Sequence, residues 1–336
     1  MVSEQERSKS SLGSDGVLRG VDTDQDGESL THQALLYRSD EEFLAGIVPF
    51  IRDGLSRGDP IHIATADRNT DRLKAALGVD ARQVAFRDNS QWYRHPVRTL
   101  AAVFRTVQAA ATAGHRLRMI EEPSWIARFA QESKEWARYE SLVNVALASV
   151  NVTLMCTYDT RVIHPDTVVK VARTHPELVV NGGSRPNPSY ADPAVFSAEC
   201  DRSPLPEPPL PTVRVRFDRV DQLVTLRDFV TFHATHAGAT PQRVEQFVHA
   251  IDEVVVNAIE HGGGSGVLQF WTGRQTISCE VSDTGGGLRD PLTGHLPPSR
   301  CTVRGRGLWM ARQFCDLVEL RTDTSGTVVR LHLNLP

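Results

Sequence analysis

Pro241-Gln-Arg-Val-Glu-Gln-Phe-Val-His-Ala-Ile-Asp-Glu-Val-Val-Val-Asn-Ala-Ile-Glu-His261 reads as one amphipathic helix. Val244, Phe247, Val248, Ile251, Val255 and Ile259 recur at helical spacing and give it a core face. Pro241 suits the first helical turn, where no N–H is required. Glu253 and Asn257 are four residues apart and stack on one face, with Glu260 and His261 one turn further on. A carboxylate and an amide at that spacing suit Mg²⁺, which takes oxygen ligands and bridges substrate phosphates. Asn257 would offer its side-chain oxygen to the metal. Glu253 would hold a metal-bound water or accept a proton from an attacking hydroxyl. Taken alone, the pair reads more simply as a solvated helix face.

Two further blocks follow. Asp283-Thr-Gly285-Gly-Gly287 comes directly after the strand-like run Ile277-Ser-Cys-Glu-Val281. An aspartate at a strand end can accept a hydrogen bond from an adenine amino group, and the glycines let backbone approach the ring. Alone, it is an ordinary Asp-Gly turn. Arg304-Gly305-Arg306-Gly307-Leu308 opens a helix containing Trp309, Met310, Ala311, Phe314 and Cys315. Glycines ahead of a helix N-terminus expose amide donors to phosphate. Between the blocks, Leu288 to Val303 holds three prolines and no clear periodicity, so a mobile flap is expected there. Arg289, Arg300, Arg304 and Arg306 can reach phosphate oxygens from it, or simply face solvent.

The surrounding pattern over 212–336 is strand, two helices, paired strands, helix and hairpin. Val213, Val215 and Phe217 alternate with arginines as a half-buried strand does. Helices are expected near 221–237 and 241–261, strands near 266–272 and 276–283, a helix near 307–315 and a hairpin at Ser325-Gly326. That order implies an α/β sandwich with helices on one face of a mixed sheet.

Upstream, residues 184–211 carry eight prolines: Pro186, Pro188, Pro193, Pro204, Pro206, Pro208, Pro209 and Pro211. Proline fixes φ and donates no amide hydrogen, so an extended, semi-stiff linker and a domain boundary are expected there. Residues 31–183 alternate strands with helices. The helices are expected at Glu41–Ser56, Arg68–Leu77, Val97–Ala113 and Trp125–Ala148. The strands are expected at Ile61–Ala64, Val84–Phe86, Leu117–Ile120 and Thr153–Cys156. Such alternation implies a parallel sheet of βαβ units. Residues 1–30 are rich in Ser, Asp, Glu and Gly and read as a disordered tail.

Length and composition set the outer bounds. The 336 residues suggest two domains at roughly 150 residues each. The formal charge of −4 argues against a dedicated nucleic-acid binder. Neither an apolar run of the roughly 20 residues that a membrane span needs nor a signal-peptide core is seen, so a cytoplasmic location without membrane attachment is expected. The five cysteines form no Cys-x-x-Cys pair, which disfavours a disulfide framework or zinc knuckle. The four lysines, Lys9, Lys74, Lys134 and Lys170, never follow a glycine, so any ATP chemistry must use something other than a Walker A loop.

The three blocks in one order within one compact domain resemble the GHKL (histidine kinase-like, Bergerat) ATPase superfamily. Glu253-Val-Val-Val-Asn257-Ala-Ile-Glu-His261 matches its N box, Asp283-Thr-Gly285-Gly-Gly287-Leu288 its G1 box, and Gly305-Arg-Gly307-Leu308 its G2 box. The resemblance covers essentially all of 212–336. It implies ATP and Mg²⁺ as ligands. Glu253 would be the general base, Asn257 the Mg²⁺ ligand and Asp283 the adenine contact. His261, Gly285, Gly287, Gly305, Arg306, Gly307 and Leu308 would line the nucleotide site. No paired helices with a phosphoacceptor histidine precede the domain. His233, His236 and His249 fall inside it as surface or packing residues. The compact domain, Asn-Ala-Ile-Glu-His and the short flap are similar to the anti-sigma serine/threonine kinase branch. That branch binds a sigma factor and phosphorylates a STAS-domain antagonist, and its members are typically homodimers. The alternative is a module that sequesters a partner without catalysis. Neither a helix-turn-helix nor a basic stripe supports direct nucleic-acid binding.

The N-terminal region has its own resemblance, over roughly 31–195, to MEDS-type sensory domains. It rests on His32-Gln-Ala-Leu-Leu-Tyr37, Glu42-Phe-Leu, Pro49-Phe-Ile-Arg-Asp-Gly-Leu-Ser-Arg-Gly-Asp-Pro60, Glu122-Pro123-Ser-Trp125, Glu135-Trp136-Ala-Arg138-Tyr139-Glu140, Cys156-Thr-Tyr158-Asp159 and Thr174-His175-Pro176. It implies a RecA-like parallel α/β core without the phosphate loop, and a small-molecule ligand such as a hydrocarbon derivative. Trp125, Trp136 and Tyr139 can line a pocket or fill the core. Cys156 and His175 can bind a ligand or metal, or be a buried thiol and a surface histidine.

Overall fold

The computed structural model describes residues 29–93, 96–112, 115–123, 130–296 and 306–336. Most of the 1–30 tail falls outside them, as do Trp125, Arg300, Arg304 and Gly305.

The first part of the chain runs β1 (Thr31–Tyr37), α1 (Asp40–Arg57), β2 (Ile61–Ala64), α2 (Asp67–Leu77), β3 (Ala85–Phe86), α3 (Asn89–Trp92) and α4 (Pro96–Thr112). It continues with β4 (Leu117–Glu121), α5 (Ala130–Ala146), β5 (Val152–Asp159), α6 (Pro165–Thr174), β6 (Glu177–Val180), β7 (Gly183–Pro186) and α7 (Pro193–Arg202). The seven strands lie in the order β3-β2-β4-β5-β1-β6-β7. All neighbours pair in parallel except β6 and β7, which form an antiparallel edge hairpin. Its turn uses Asn181 and Gly182, both at positive φ (52° and 76°).

Both faces of this sheet are covered, which is why its strands read as continuous apolar runs. On one face α1 and α2 bury Phe43, Ile47, Ile51, Leu73 and Leu77 against Leu35, Ile63 and Met155. On the other, α4 and α5 bury Leu100, Val103, Trp136, Tyr139 and Val143 against Leu154, Cys156 and Tyr158. Trp136 and Tyr139 are therefore core residues. Local signals delimit α1: the Ser39 side chain accepts from the Glu42 amide, and Gly58 ends the helix in the left-handed region.

The second part runs β8 (Val213–Phe217), α8 (Leu223–His236), α9 (Pro241–Glu260), β9 (Gly266–Thr272), β10 (Thr276–Asp283), α10 (Gly307–Phe314), β11 (Leu317–Asp323) and β12 (Gly326–Asn334). Its sheet order is β11-β12-β10-β9-β8. Every pairing is antiparallel, where a mixed sheet was expected. The two-helix connection from β8 to β9 reverses direction instead of crossing over, so no parallel pair forms. One sheet face and the three helices share a single core, including Phe247, Val255, Leu268, Cys279, Ala311 and Leu331. Alternate strand positions carry Gln269, Glu280, Glu319, Arg330 and His332 on the opposite face, mostly buried.

Three expectations need correction. The segment 184–211 is not extended throughout: β7 and α7 form within it. Pro193 sits in the first turn of α7, where proline is tolerated, and Asp192 caps it by accepting from the Ala194 and Val195 amides. Proline count alone missed that start signal. His175 is fully buried rather than at the surface, because it closes α6 against the sheet. The stretch beginning at Leu288 is held at two points in its described part. The Leu288 amide donates to Thr322 Oγ1 at 2.8 Å, and His295 is buried.

His295 belongs to a charged cluster between the two sheets. Its Nε2 accepts from Arg138 Nη1 at 2.9 Å and from Arg312 Nη2 at 3.0 Å. Arg138 also donates to Asp201 at 2.8 Å, and Glu135 lies 3.6 Å from both Arg138 and Arg312. The cluster links α5 and α7 to α10. Nearby, Arg98 donates to the Gln313 and Phe314 carbonyls at 2.8 and 3.2 Å.

Candidate functional site

The C-terminal end of α9, the end of β10 and the start of α10 converge on one cavity of about 170 Å³. Asn257, His261, Asp283, Gly287, Gly307 and Leu308 line it. These residues, singled out from sequence and well separated along the chain, thus share one wall.

Missing side chains make this convergence possible. A Cβ on Gly307 would lie 2.5 Å from Glu253 Oε2 and 3.2 Å from Asn257 Nδ2. The start of α10 is therefore pressed against the Glu253–Asn257 face of α9. A Cβ on Gly262 would lie 2.4 Å from Asp283 Cγ, and one on Gly285 would meet Gly262 backbone at 2.7 Å. The turn after α9 and the loop after β10 touch backbone to backbone. Gly287 has φ +72°, a region open to glycine at little cost, and packs on the Asp323 carbonyl.

Asp283 is oriented by two backbone donors. Its Oδ1 accepts from the Gly285 amide at 3.0 Å and the Thr327 amide at 3.2 Å. Burial raises its pKa above the ordinary aspartate value, and the two amide bonds offset that only in part. His261 caps α9 at the exposed rim of the cavity. Arg306 occupies the N-cap position of α10 and is exposed. Arg289 is exposed as well.

The cavity also has residues that the motifs did not flag. Gly262, Val281, Thr293, Thr327 and Val329 line it from outside the three motif blocks, and Val254, Ala258 and Leu288 from within them. Ala258, Val281 and Val329 supply an apolar wall beside the Asp283 carboxylate. Thr327 comes from the last hairpin, and only the register of β12 against β10 brings it to Asp283. Its sequence neighbourhood holds no signal for this.

An apolar slot ending in an oriented carboxylate suits a planar heterocycle bearing an amino group. Oxygen donors at Glu253 and Asn257, beside a helix N-terminus, suit a hydrated Mg²⁺ and the phosphates it bridges. The residues present therefore fit a nucleotide with its metal.

Comparisons with known proteins match two segments of the chain. Residues 31–176 match the family model "MEDS: MEthanogen/methylotroph, DcmR Sensory domain". Residues 218–333 match the model "Histidine kinase-like ATPase domain". The chain joins a segment that matches the MEDS model to one that matches the histidine kinase-like ATPase model, and its fold is a two-domain α/β arrangement.

Among solved structures, the RsbU and RsbW domains of a Mycobacterium tuberculosis protein are 23% identical, with a TM-score of 0.29 over 38% of this chain and 34% of that one. The chain thus spans about a third of that structure. A KaiC-like protein from Pyrococcus horikoshii is 17% identical, with a TM-score of 0.33 over 45% of this chain and 70% of that one. The catalytic domain of the histidine kinase ThkA is 13% identical, with a TM-score of 0.25 over 36% of this chain and 95% of that one. No curated protein matches the chain. No helix among the described residues is long and apolar enough to cross a membrane.

Proposed function

We propose that the protein is a cytoplasmic, signal-responsive anti-sigma regulator. Its second domain binds Mg·ATP and phosphorylates a serine or threonine of a STAS-domain antagonist, and so controls the availability of a sigma factor. The observation that carries the nucleotide reading is the meeting of Asn257, Asp283 and Gly307 around one cavity, with Glu253 packed against Gly307 beside it. The kinase branch rests on the resemblance of Asn257-Ala-Ile-Glu-His261 and of the compact domain. The first domain, 31–183, takes a small-molecule signal, and the segment 184–211 joins it to the kinase domain, 212–336. A homodimer is the expected assembly.

In this reading Asp283 receives the adenine amino group and the apolar wall sandwiches the ring. Asn257 would hold Mg²⁺, which would supply charge neutralisation at the phosphates. Amides at the start of α10, with Gly305, Arg306, Gly307 and Leu308, receive phosphate oxygens. His261 and the Gly285–Gly287 loop close the rim. Glu253 accepts the proton of the attacking hydroxyl. The rest of the catalysis is positioning, as in phosphoryl transfer generally.

The test is transfer from Mg·ATP to purified STAS-domain proteins of the same organism, with the full chain and with Glu253→Ala. Phosphoserine or phosphothreonine on the antagonist, lost in Glu253→Ala while ATP binding persists, is the expected result. Phosphate on a histidine of this chain would overturn the branch assignment. ATP binding without any transfer would make the domain a sequestering module.

A further inference from the structure

A second cluster lies about the middle of the first sheet, away from the nucleotide cavity. His32 on β1, Cys156 on the neighbouring β5, Glu140 on α5 and His175 at the end of α6 meet there. One ligand atom from each lies within 4.8 Å of the other three, and all four side chains are buried. We propose that these residues form a four-coordinate transition-metal site of the Zn²⁺ class.

The distances carry the proposal. His32 Nε2 is 3.5 Å from Cys156 Sγ and 3.9 Å from Glu140 Oε2. Glu140 Oε2 is 3.7 Å from Cys156 Sγ and 3.8 Å from His175 Nε2. A tetrahedral centre with ligand bonds of about 2.0–2.3 Å holds its ligand atoms roughly 3.3–3.6 Å apart. These four separations are close to that range and the other two lie within 4.8 Å, so side-chain movements of about an ångström close the site.

Both imidazoles are oriented as metal ligands are. His32 donates from Nδ1 to Asn144 Oδ1 at 2.9 Å, leaving Nε2 as a lone pair aimed inward. His175 donates from Nδ1 to the Val171 carbonyl at 2.9 Å, which leaves its Nε2 as an acceptor too, with the Tyr158 hydroxyl 3.5 Å from it. Ligating histidines are typically fixed by such a bond from the other ring nitrogen. Asn144 further donates to the Thr174 carbonyl at 2.8 Å, tying α5 to the residue before His175.

Charge supports the same assignment. A buried dication is costly unless its charge is offset. One carboxylate and one thiolate balance it, and the two imidazoles complete the set without adding charge. The donor set of two nitrogens, one sulfur and one oxygen suits Zn²⁺ or Fe²⁺ rather than Mg²⁺ or Ca²⁺. The four residues are far apart in sequence, so no short spacing motif announces them.

The experiment measures bound metal on the purified full-length protein by plasma mass spectrometry, before and after chelation and reloading with Zn²⁺. About one Zn²⁺ or Fe²⁺ per chain is expected. Reloading the chelated protein with Co²⁺ should give intense visible ligand-field bands and a thiolate charge-transfer band, the latter lost in Cys156→Ser. Asn144→Ala, which frees His32 without removing a ligand, should weaken the affinity about 10- to 100-fold. Glu253→Ala should leave metal content unchanged, so the result is independent of the kinase reading. If Cys156→Ser does not fold, the spectrum of the wild-type Co²⁺ protein and the Asn144→Ala affinity still decide. A folded wild-type chain that holds no metal after reloading, or Co²⁺ bands without a thiolate contribution, would overturn the proposal.

Discussion

Two residues at the nucleotide cavity illustrate how much a single atom decides. Asp283 is the stronger acceptor for an amino group when ionised. Because burial raises its pKa, ATP affinity should hold above that raised value. It should fall away at a higher pH than the 3.8 of an ordinary aspartate. Asp283→Asn should weaken binding roughly 10- to 100-fold, the loss of a charge-assisted hydrogen bond, and should flatten the pH dependence in a calorimetric titration. Gly307 is the opposite case, a site where nothing fits. Gly307→Ala puts a methyl 2.5 Å from Glu253 Oε2 and displaces it. Phosphotransfer should drop by more than about tenfold, with melting temperature little changed. A variant with wild-type turnover would remove Glu253 from the catalytic role.

At the scale of elements, α9 serves two ends at once. Its apolar stripe anchors it to the sheet, and its adjoining face presents Glu253 and Asn257 to α10. Phe247 is fully buried in the shared core. Phe247→Ala should cost about 3–5 kcal/mol in denaturant unfolding, and nucleotide binding should fail with the fold rather than before it. The first sheet was legible as a βαβ pattern because β2, β4 and β5 are buried on both faces and read as short apolar runs between helices. The edge hairpin and α6 were less legible. Strand β7, Gly183-Ser-Arg-Pro186, is exposed along its length and has no apolar pattern to read.

For the whole molecule, the question is what holds the two sheets together. His295 sits between Arg138 and Arg312, with Glu135, Asp201 and Arg321 around them. Two guanidinium donors on one Nε2 require a neutral ring with its proton on Nδ1. Burial, then Arg312 and Arg138, hold the His295 pKa well below 6.5. The sign follows from linkage: the unfolded or undocked ring takes up a proton below 6.5 and the docked ring does not. Docking stability should therefore be complete above that pH and be lost as pH falls below it. Scattering or limited proteolysis of the full chain across that range should show the domains separating, and His295→Gln should remove the dependence. Arg138→Met leaves the buried Asp201 without the guanidinium it pairs with, while Glu135 keeps Arg312 and Arg321, and should cost about 3–5 kcal/mol. Arg312 lies on α10, whose first residue, Gly307, lines the cavity.

The sequence by itself determined which segments form most of the helices and strands, and which motifs stand at the second domain's cavity. Glu253, Asn257, Asp283 and the glycines are tied to local features: a helical repeat, a strand end and a helix start. Such features are set by neighbours a few residues away. Only the tertiary structure decided the rest. Thr327 reaches Asp283 through strand register, and His295 meets Arg138 across a separation of 157 positions. His32, Glu140, Cys156 and His175 converge from four separate elements. A packing contact between distant segments leaves no periodicity in either one, because each local pattern is satisfied equally well without it.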